Sequence, residues 1–185
     1  LMPLGGDEAD IPKNWAKCDL CRLLMKKKNY TEPVQLMIPF FENILASVRK
    51  YGKKPILWFE LNNEYPPADD YLFPYPKDVV LVSWRGGMTP TGLDLSAERG
   101  HNVIMAPGEY CYYDYPQYKG DLPEYNNWGM PMTTLERAYR LDPGYGRPLS
   151  KQQHIWGVMG ALWGEAIIDI NRATYMSFPR AFALA

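Results

Sequence analysis

Pro55-Ile56-Leu57-Trp58-Phe59 carries no polar side chain and runs directly into Glu60. A run this short, apolar throughout and opened by proline, predicts a strand buried on both faces, the kind that parallel sheets use. Val79-Val80-Leu81-Val82-Ser83-Trp84 follows the same pattern, Asn102-Val103-Ile104-Met105-Ala106 gives a further strand, and Ile155 to Trp163 reads as a glycine-spaced apolar strand. Helical spacing fills the intervals. Val34, Met37, Ile38, Phe41, Ile44, Leu45 and Val48 recur at steps of three and four. They predict a helix over 33–51, with Pro33 in its first turn, a kink at Pro39 and a stop at Gly52. Asn14 is placed to cap a helix from Trp15 to Lys28, whose closing Lys26-Lys27-Lys28 suits the negative end of a helix dipole. Shorter helices are expected from Thr91 to Arg99, from Thr133 or Thr134 to Arg140, and from Asn171 onward with Pro179 late in the last. Asp142-Pro143-Gly144 reads as a turn.

Ahead of the first helix, Leu4-Gly5-Gly6-Asp7-Glu8 ends another apolar run in two glycines and two carboxylates. Glycine permits backbone angles closed to other residues, so the break at Gly5-Gly6 can bring neighbouring side chains to one face where a regular strand would separate them. Two carboxylates that close cannot both ionise cheaply without water, so one is expected to become a weaker acid. On the pair alone, a solvated acidic turn, Asp7-Glu8-Ala9-Asp10, capping the next helix is the favoured reading. The remainder of the chain changes that weighting.

The alternation of strands and helices implies an α/β fold with parallel strands joined by crossover helices. A doubly wound sheet and a (β/α)8 TIM-type barrel both fit. The barrel is favoured because candidate ligand residues follow one strand end after another: Asp7 and Glu8, Trp58 and Glu60, Trp84, Tyr112 and Asp114, Trp163 and Glu165. Five strands do not close a barrel, so the expectation is its second half, about strands 4 to 8. With no internal repeat and no low-complexity linker, residues 1–185 are read as one domain. The chain opens on Leu1 inside a strand pattern, so a piece of a longer protein is expected, with two unpaired strand edges that self-associate or pack against the N-terminal half of the barrel.

Composition excludes several classes. The 20 basic and 21 acidic residues leave a net charge of -1, which argues against nucleic acid and against an anionic membrane surface as partners. No apolar run approaches the length of a membrane span. Three cysteines are an odd number for a disulfide framework, and Cys18-x-x-Cys21 lacks the second pair that a zinc site needs. His101 and His154 lie far apart, so neither a histidine metal site nor a Ser-His-Asp triad is supported. Aromatic residues are plentiful instead, with 14 Tyr and 6 Trp. Many of the tyrosines fall in a long loop from Pro107 to Pro131, and loops of that length in compact domains are usually functional.

Carboxylates alternating with tryptophans suit a carbohydrate cleft, because pyranose rings stack their C–H faces on aromatic surfaces and offer hydroxyls to the rims. Singly, Trp58, Trp84 and Trp163 read as core residues; equivalent places at three strand ends point to a lined pocket. Tyr112 and Asp114 share a face if the chain is extended there. Glu165 is either a ligand or a first-turn acid of the last helix. A conventional retaining glycosidase needs two carboxylates about 5 Å apart on opposite sides of the bond. Adjacent residues such as Asp7 and Glu8 suit another arrangement. There the substrate's own 2-acetamido oxygen attacks the anomeric carbon, Asp7 holds the amide N–H and Glu8 protonates the leaving oxygen.

Leu4-Gly5-Gly6-Asp7-Glu8, Leu57-Trp58-Phe59-Glu60, Ser83-Trp84-Arg85-Gly86-Gly87, Cys111-Tyr112-Tyr113-Asp114-Tyr115-Pro116-Gln117, Ala161-Leu162-Trp163-Gly164-Glu165 and Phe178-Pro179-Arg180-Ala181-Phe182-Ala183-Leu184-Ala185 resemble, in order, the successive motifs of the β-N-acetylhexosaminidases of glycoside hydrolase family 20. The resemblance implies a catalytic (β/α)8 barrel that removes terminal β-linked N-acetylglucosamine or N-acetylgalactosamine with retention, through an oxazolinium-type intermediate and without a cofactor or metal. It further implies that Glu8 is the general acid/base, that Asp7 orients the acetamido group and that Tyr112 hydrogen-bonds the acetamido oxygen. By the same resemblance, Trp58, Trp84 and Trp163 wall the pocket, Asp114 and Glu165 bind outer hydroxyls, and the setting is secreted, periplasmic or lysosomal. It places the chain's start at the family's fourth strand. One departure stands out, Pro3 where the family usually has histidine. Two rival readings follow: a glycosidase using Glu8 with Glu165 or Asp114 as nucleophile, and a carbohydrate-binding remnant without catalysis.

Overall fold

The computed structural model describes residues 1–8, 14–59, 75–123 and 127–185. Glu60, Tyr125 and most of the Asn62 to Lys77 loop lie outside them. The backbone gathers into two compact units, Leu1–Val82 and Ser83–Ala185.

In the first unit three strands pair in parallel. β1 (Met2–Pro3) sets Met2 opposite Pro55 and Pro3 opposite Ile56 of β2 (Pro55–Trp58), and β2 sets Leu57 opposite Leu81 of β3 (Val80–Ser83). The ladder from β1 to β2 uses the N–H groups of Met2 and Leu4, which donate to the carbonyls of Lys54 and Ile56 at 2.8 and 3.0 Å. Pro3, between them, forfeits no bond to β2. Leu57 and Leu81 are fully buried, as runs covered on both faces require.

Two helices belong to this unit. α1 (Asp19–Lys28) begins later than the sequence suggests: Asn14 is not its cap, because Cys18 takes the extended cap conformation and its Sγ accepts from Cys21 N–H. The basic triplet fills its last turn and Asn29 closes it in the left-handed conformation. The single helix expected over 33–51 is a 3-10 turn, Pro33–Leu36, followed by α2 (Met37–Lys50). Pro39 is therefore no kink. It is the third residue of α2, where an N–H would have no partner within the helix. Met37, Phe41, Leu45 and Val48 form the buried stripe of α2, and the first three join Val34, Leu57, Val79 and Leu81 in one core cluster. Each such side chain contributes about 1.5–3 kcal/mol by leaving water. Arg49 grips Asp78 through two hydrogen bonds of 2.7 Å, which holds the Asp78 carboxyl below its usual range. Both side chains are over 40% exposed, so the pair adds only about 0.2–1 kcal/mol.

The second unit pairs β4 (Val103–Met105) in parallel with β5 (Ile155–Val158). Val103 opposes Ile155 but Ile104 opposes Gly157, so Trp156 is an extra residue, a bulge in the strand. The strand expected through Trp163 ends at Val158, with the Met159 N–H still donating to the Met105 carbonyl at 3.0 Å, and the chain pairs again at Ala161, opposite Tyr112. α3 (Thr89–Glu98) starts two residues earlier than expected and sets Leu93 on Val103 and Met105. The long loop after β4 contains α4 (Gly108–Cys111), and α5 (Leu135–Tyr139) is capped by Thr134 as its sequence predicts. The short α6 (Leu149–Gln152) was not legible. Asp142 makes the expected turn by accepting the N–H groups of Gly144 and Gly146, both at 2.9 Å. The final helix is two, α7 (Ile170–Ser177) and α8 (Arg180–Leu184), separated at Phe178-Pro179, whose peptide bond is cis. Parallel strands alternating with helices in each unit are the arrangement of part of a (β/α)8 barrel. Among the described residues, no helix is long and apolar enough to cross a membrane.

The glycine break after β1 yields a stability prediction. Gly5 and Gly6 have φ of 76° and 102°, and a Cβ on Gly6 would lie 3.1 Å from Phe41 Cζ, whereas one on Gly5 would meet nothing within 4 Å. Gly5→Ala should cost about 1–2 kcal/mol through conformation alone. Gly6→Ala should cost more, and urea unfolding of the two variants beside the parent checks the order.

Candidate active site

In the first unit the site elements sit where the ladder ends. Gly5 is the last residue of the first strand run to take part, its carbonyl accepting from Trp58 N–H at 3.0 Å. Gly5, Gly6 and Glu8 then all have positive φ, with Glu8 at 52°. A non-glycine residue held in that region marks a backbone set by its surroundings. The turn leaves Asp7 half-buried and Glu8 exposed. Trp58 is half-buried at the end of β2, and its carbonyl accepts from the Tyr75 hydroxyl at 3.3 Å. Burial, and after it the charge of Asp7, push that hydroxyl far above the ordinary tyrosine range. Tyr75 thus belongs beside Asp7 and Trp58. Nothing in its sequence setting singled it out.

In the second unit an aromatic cluster forms around Tyr112, which is 5% exposed. Its ring lies parallel to Trp84 within 5° at 6.3 Å and edge-on to Trp163 at 5.9 Å, with Tyr115 at 5.3 Å. Trp84 is fixed through its backbone, since its carbonyl accepts from Gly108 N–H at 2.9 Å, and the Arg85 guanidinium covers its ring at 4.7 Å. Trp128, 60% exposed, meets Tyr115 edge-on at 5.6 Å. The Tyr113 N–H donates to the Ala161 carbonyl, and Ala161 N–H donates back to Cys111, at 2.7 and 2.9 Å. That ladder step carries Tyr112 to Trp163.

Asp114 arrives by a different route from the one its spacing suggests. The chain turns at Tyr113 and Asp114 instead of staying extended, and the turn directs the Asp114 carboxylate to the N–H of Trp163, 3.3 Å away. Tyr112 and Asp114 therefore both meet Trp163, one at the ring and one at the backbone. Burial above all, with a smaller push from the charge of Glu165, raises the Asp114 carboxyl to about 6 against the opposing Trp163 N–H and Arg180. Glu165 lies exposed in a 3-10 turn, Gly164–Ala166, and α7 is capped by Asp169, so Glu165 is not the first-turn acid of the last helix.

Two further side chains hold these loops and were not singled out from sequence. Glu109 accepts the Gly87 N–H, and a Cβ on Gly86 would stand 2.8 Å from its second oxygen, so a side chain there would have to displace the Glu109 carboxylate. Arg180, 0% exposed, binds backbone carbonyls on both sides of Asp114. Cys18, Cys21 and Cys111 are free thiols.

The model for the catalytic domain of glycosyl hydrolase family 20 matches residues 1–185. The chain belongs to that family. A β-hexosaminidase of Akkermansia muciniphila is 36% identical over the whole of this family 20 chain, and one of Vibrio furnissii is 30% identical. The chain spans 35% and 28% of the lengths of those two relatives. A crystal structure of a β-N-acetylhexosaminidase, 36% identical, superimposes with a TM-score of 0.82 over 98% of this chain and 36% of that one. An exo-β-N-acetylglucosaminidase from Vibrio harveyi, solved with N-acetylglucosamine, gives 0.76 at 30% identity, covering 98% of this chain and 27% of that one. These likenesses establish the (β/α)8 barrel type that the strand ends suggested.

A pH prediction follows from Asp114. Its folded-state pKa of about 6 lies above the ordinary carboxylate value, so the folded protein holds that proton more tightly than the unfolded chain. The stabilisation is complete below about pH 4 and is lost as pH rises through about 6, a change on the order of 2–3 kcal/mol. Asp114→Asn should remove this downward slope between pH 4 and 6, read as the difference between the urea-unfolding free energies of variant and parent.

Proposed function

We propose that this chain is part of the catalytic barrel domain of a β-N-acetylhexosaminidase that removes terminal, non-reducing N-acetylglucosamine or N-acetylgalactosamine by a retaining, substrate-assisted mechanism. The match of the whole chain to the family 20 catalytic domain carries this reading. The acetamido oxygen attacks the anomeric carbon while Glu8 protonates the departing oxygen, giving a bicyclic oxazolinium ion. Glu8, now a carboxylate, takes a proton from water as the water opens that ion, and two inversions give net retention.

Asp7 accepts the acetamido N–H and stabilises the positive charge that develops there. Its half-buried place and the electrostatic pressure it puts on Tyr75 support a carboxylate acting where solvent screening is reduced. Tyr112 donates its hydroxyl to the acetamido oxygen and fixes the line of attack; the rings around it support that role by restricting its motion. Trp58, Trp84 and Trp163 supply apolar walls, and Asp114 and Glu165 accept hydrogen bonds from sugar hydroxyls. Residues 1–185 act in this reading as a single domain with the remainder of the barrel or a second copy against the strand edges, on a carbohydrate substrate.

Hydrolysis of an aryl β-N-acetylglucosaminide by the complete protein tests the reading. The parent should be active and the matching aryl β-glucoside, lacking the acetamido group, should not be cleaved. Glu8→Gln should lower the rate by about 10²–10⁴-fold. Equal cleavage of both substrates would favour a separate carboxylate nucleophile, and binding of N-acetylglucosamine without turnover would favour a binding remnant.

A further inference from the structure

Among the described residues, Arg180 is the largest fully buried side chain, and each of its N–H groups points to a main-chain oxygen. Nε donates to the Met176 carbonyl at 3.0 Å. Nη1 donates to Tyr115 and Thr133 at 2.8 and 2.7 Å. Nη2 donates to Tyr113 and again to Met176. A guanidinium has five N–H groups in a fixed fork, and here each has a carbonyl. Burial pulls the group down to about 10, so it stays charged at neutral pH. The cation is balanced at short range by carbonyl dipoles, with the charges of Asp114 and Asp121 favouring it from nearby.

The choice of carbonyls is informative. Met176 lies in the last turn of α7, where carbonyls lack partners within the helix and a cation complements the dipole. That much would serve stability alone. Tyr113 and Tyr115, however, are the residues on either side of Asp114, and Tyr113 follows Tyr112. The Tyr113 ring also packs on the guanidinium at 5.6 Å. A Cβ placed on Gly160 would also strike that ring at 2.5 Å. The turn that aims Tyr112 and Asp114 is therefore held by the Ala161 ladder at one edge and by the fork at the other.

We propose that Arg180 is a positioning residue for the reaction, fixing the Tyr113–Tyr115 backbone and with it the aim of Tyr112 and Asp114. The inference rests on the family 20 reading of that site. Lysine keeps the charge but replaces the planar fork by a point donor on a flexible stem, so it cannot hold carbonyls of three segments in one plane.

The test uses the complete enzyme with R180K, assayed on an aryl β-N-acetylglucosaminide. The rate per folded molecule should fall by about 10²-fold, the scale of an ångström misplacement of catalytic groups, and the loss should fall on kcat much more than on KM. A merely structural residue would lower Tm and yield but leave the rate of the folded fraction unchanged, and that outcome overturns the proposal. If R180K does not fold, the unaltered enzyme decides. Crystal structures with and without N-acetylglucosamine should superimpose over residues 112–116 within about 0.5 Å, all four carbonyls remaining on Arg180. A loop that leaves the fork on binding overturns the proposal. An unaltered enzyme inert on every acetamido substrate sinks the functional reading itself, a different result from an active parent matched by R180K.

Discussion

Parallel pairing is the constraint from which the site descends. A parallel strand covered on both faces offers a ligand nothing along its length, so polar chemistry collects where the ladder runs out and the backbone must find other partners. The carbonyl of Gly5 takes the Trp58 N–H as its strand ends, and the carbonyls of Ser83 and Trp84 take the N–H groups of Ala106 and Gly108. Each terminal bond fixes a tryptophan or a carboxylate within a residue or two. Apolar burial makes the elements; these last few backbone bonds decide where their reactive ends lie.

Much of this was legible because apolar runs and strand ends are sequence-local. Pro55 to Trp58 and Val80 to Ser83 could be read from side-chain type alone, and the glycine pair announced the abrupt turn that the backbone makes at positive φ at Gly5, Gly6 and Glu8. The errors arose where tertiary bonds override spacing. Asn14 is a good cap by type, yet Cys18 caps α1 because the chain is still turning at Asn14. Spacing placed Asp114 on the Tyr112 face of an extended strand. The structure brings it to Trp163 through a turn whose carbonyls are held by Arg180.

Arg180 and Tyr75 escaped sequence reading for the same reason. The hydrogen bonds described for both go to backbone carbonyls, which every residue carries, so sequence gives no complementary side chain to mark them. Trp156 is a similar case. It interrupts the β5 register through one extra residue, and an apolar run gives no sign of a bulge. Family resemblance reached further than periodicity here, because ordered motifs carry the outcome of such contacts without displaying their cause.

Pro3 has a consequence on the side of β1 that faces away from β2. Met2 and Leu4 send their N–H groups to β2, and alternation along a strand directs that of the residue between them to the opposite side. Proline has none to send. Whatever strand lies along that border finds no donor at Pro3, so the ladder there is short by one bond. A residue that is silent toward β2 thus sets the bonding pattern of the opposite border.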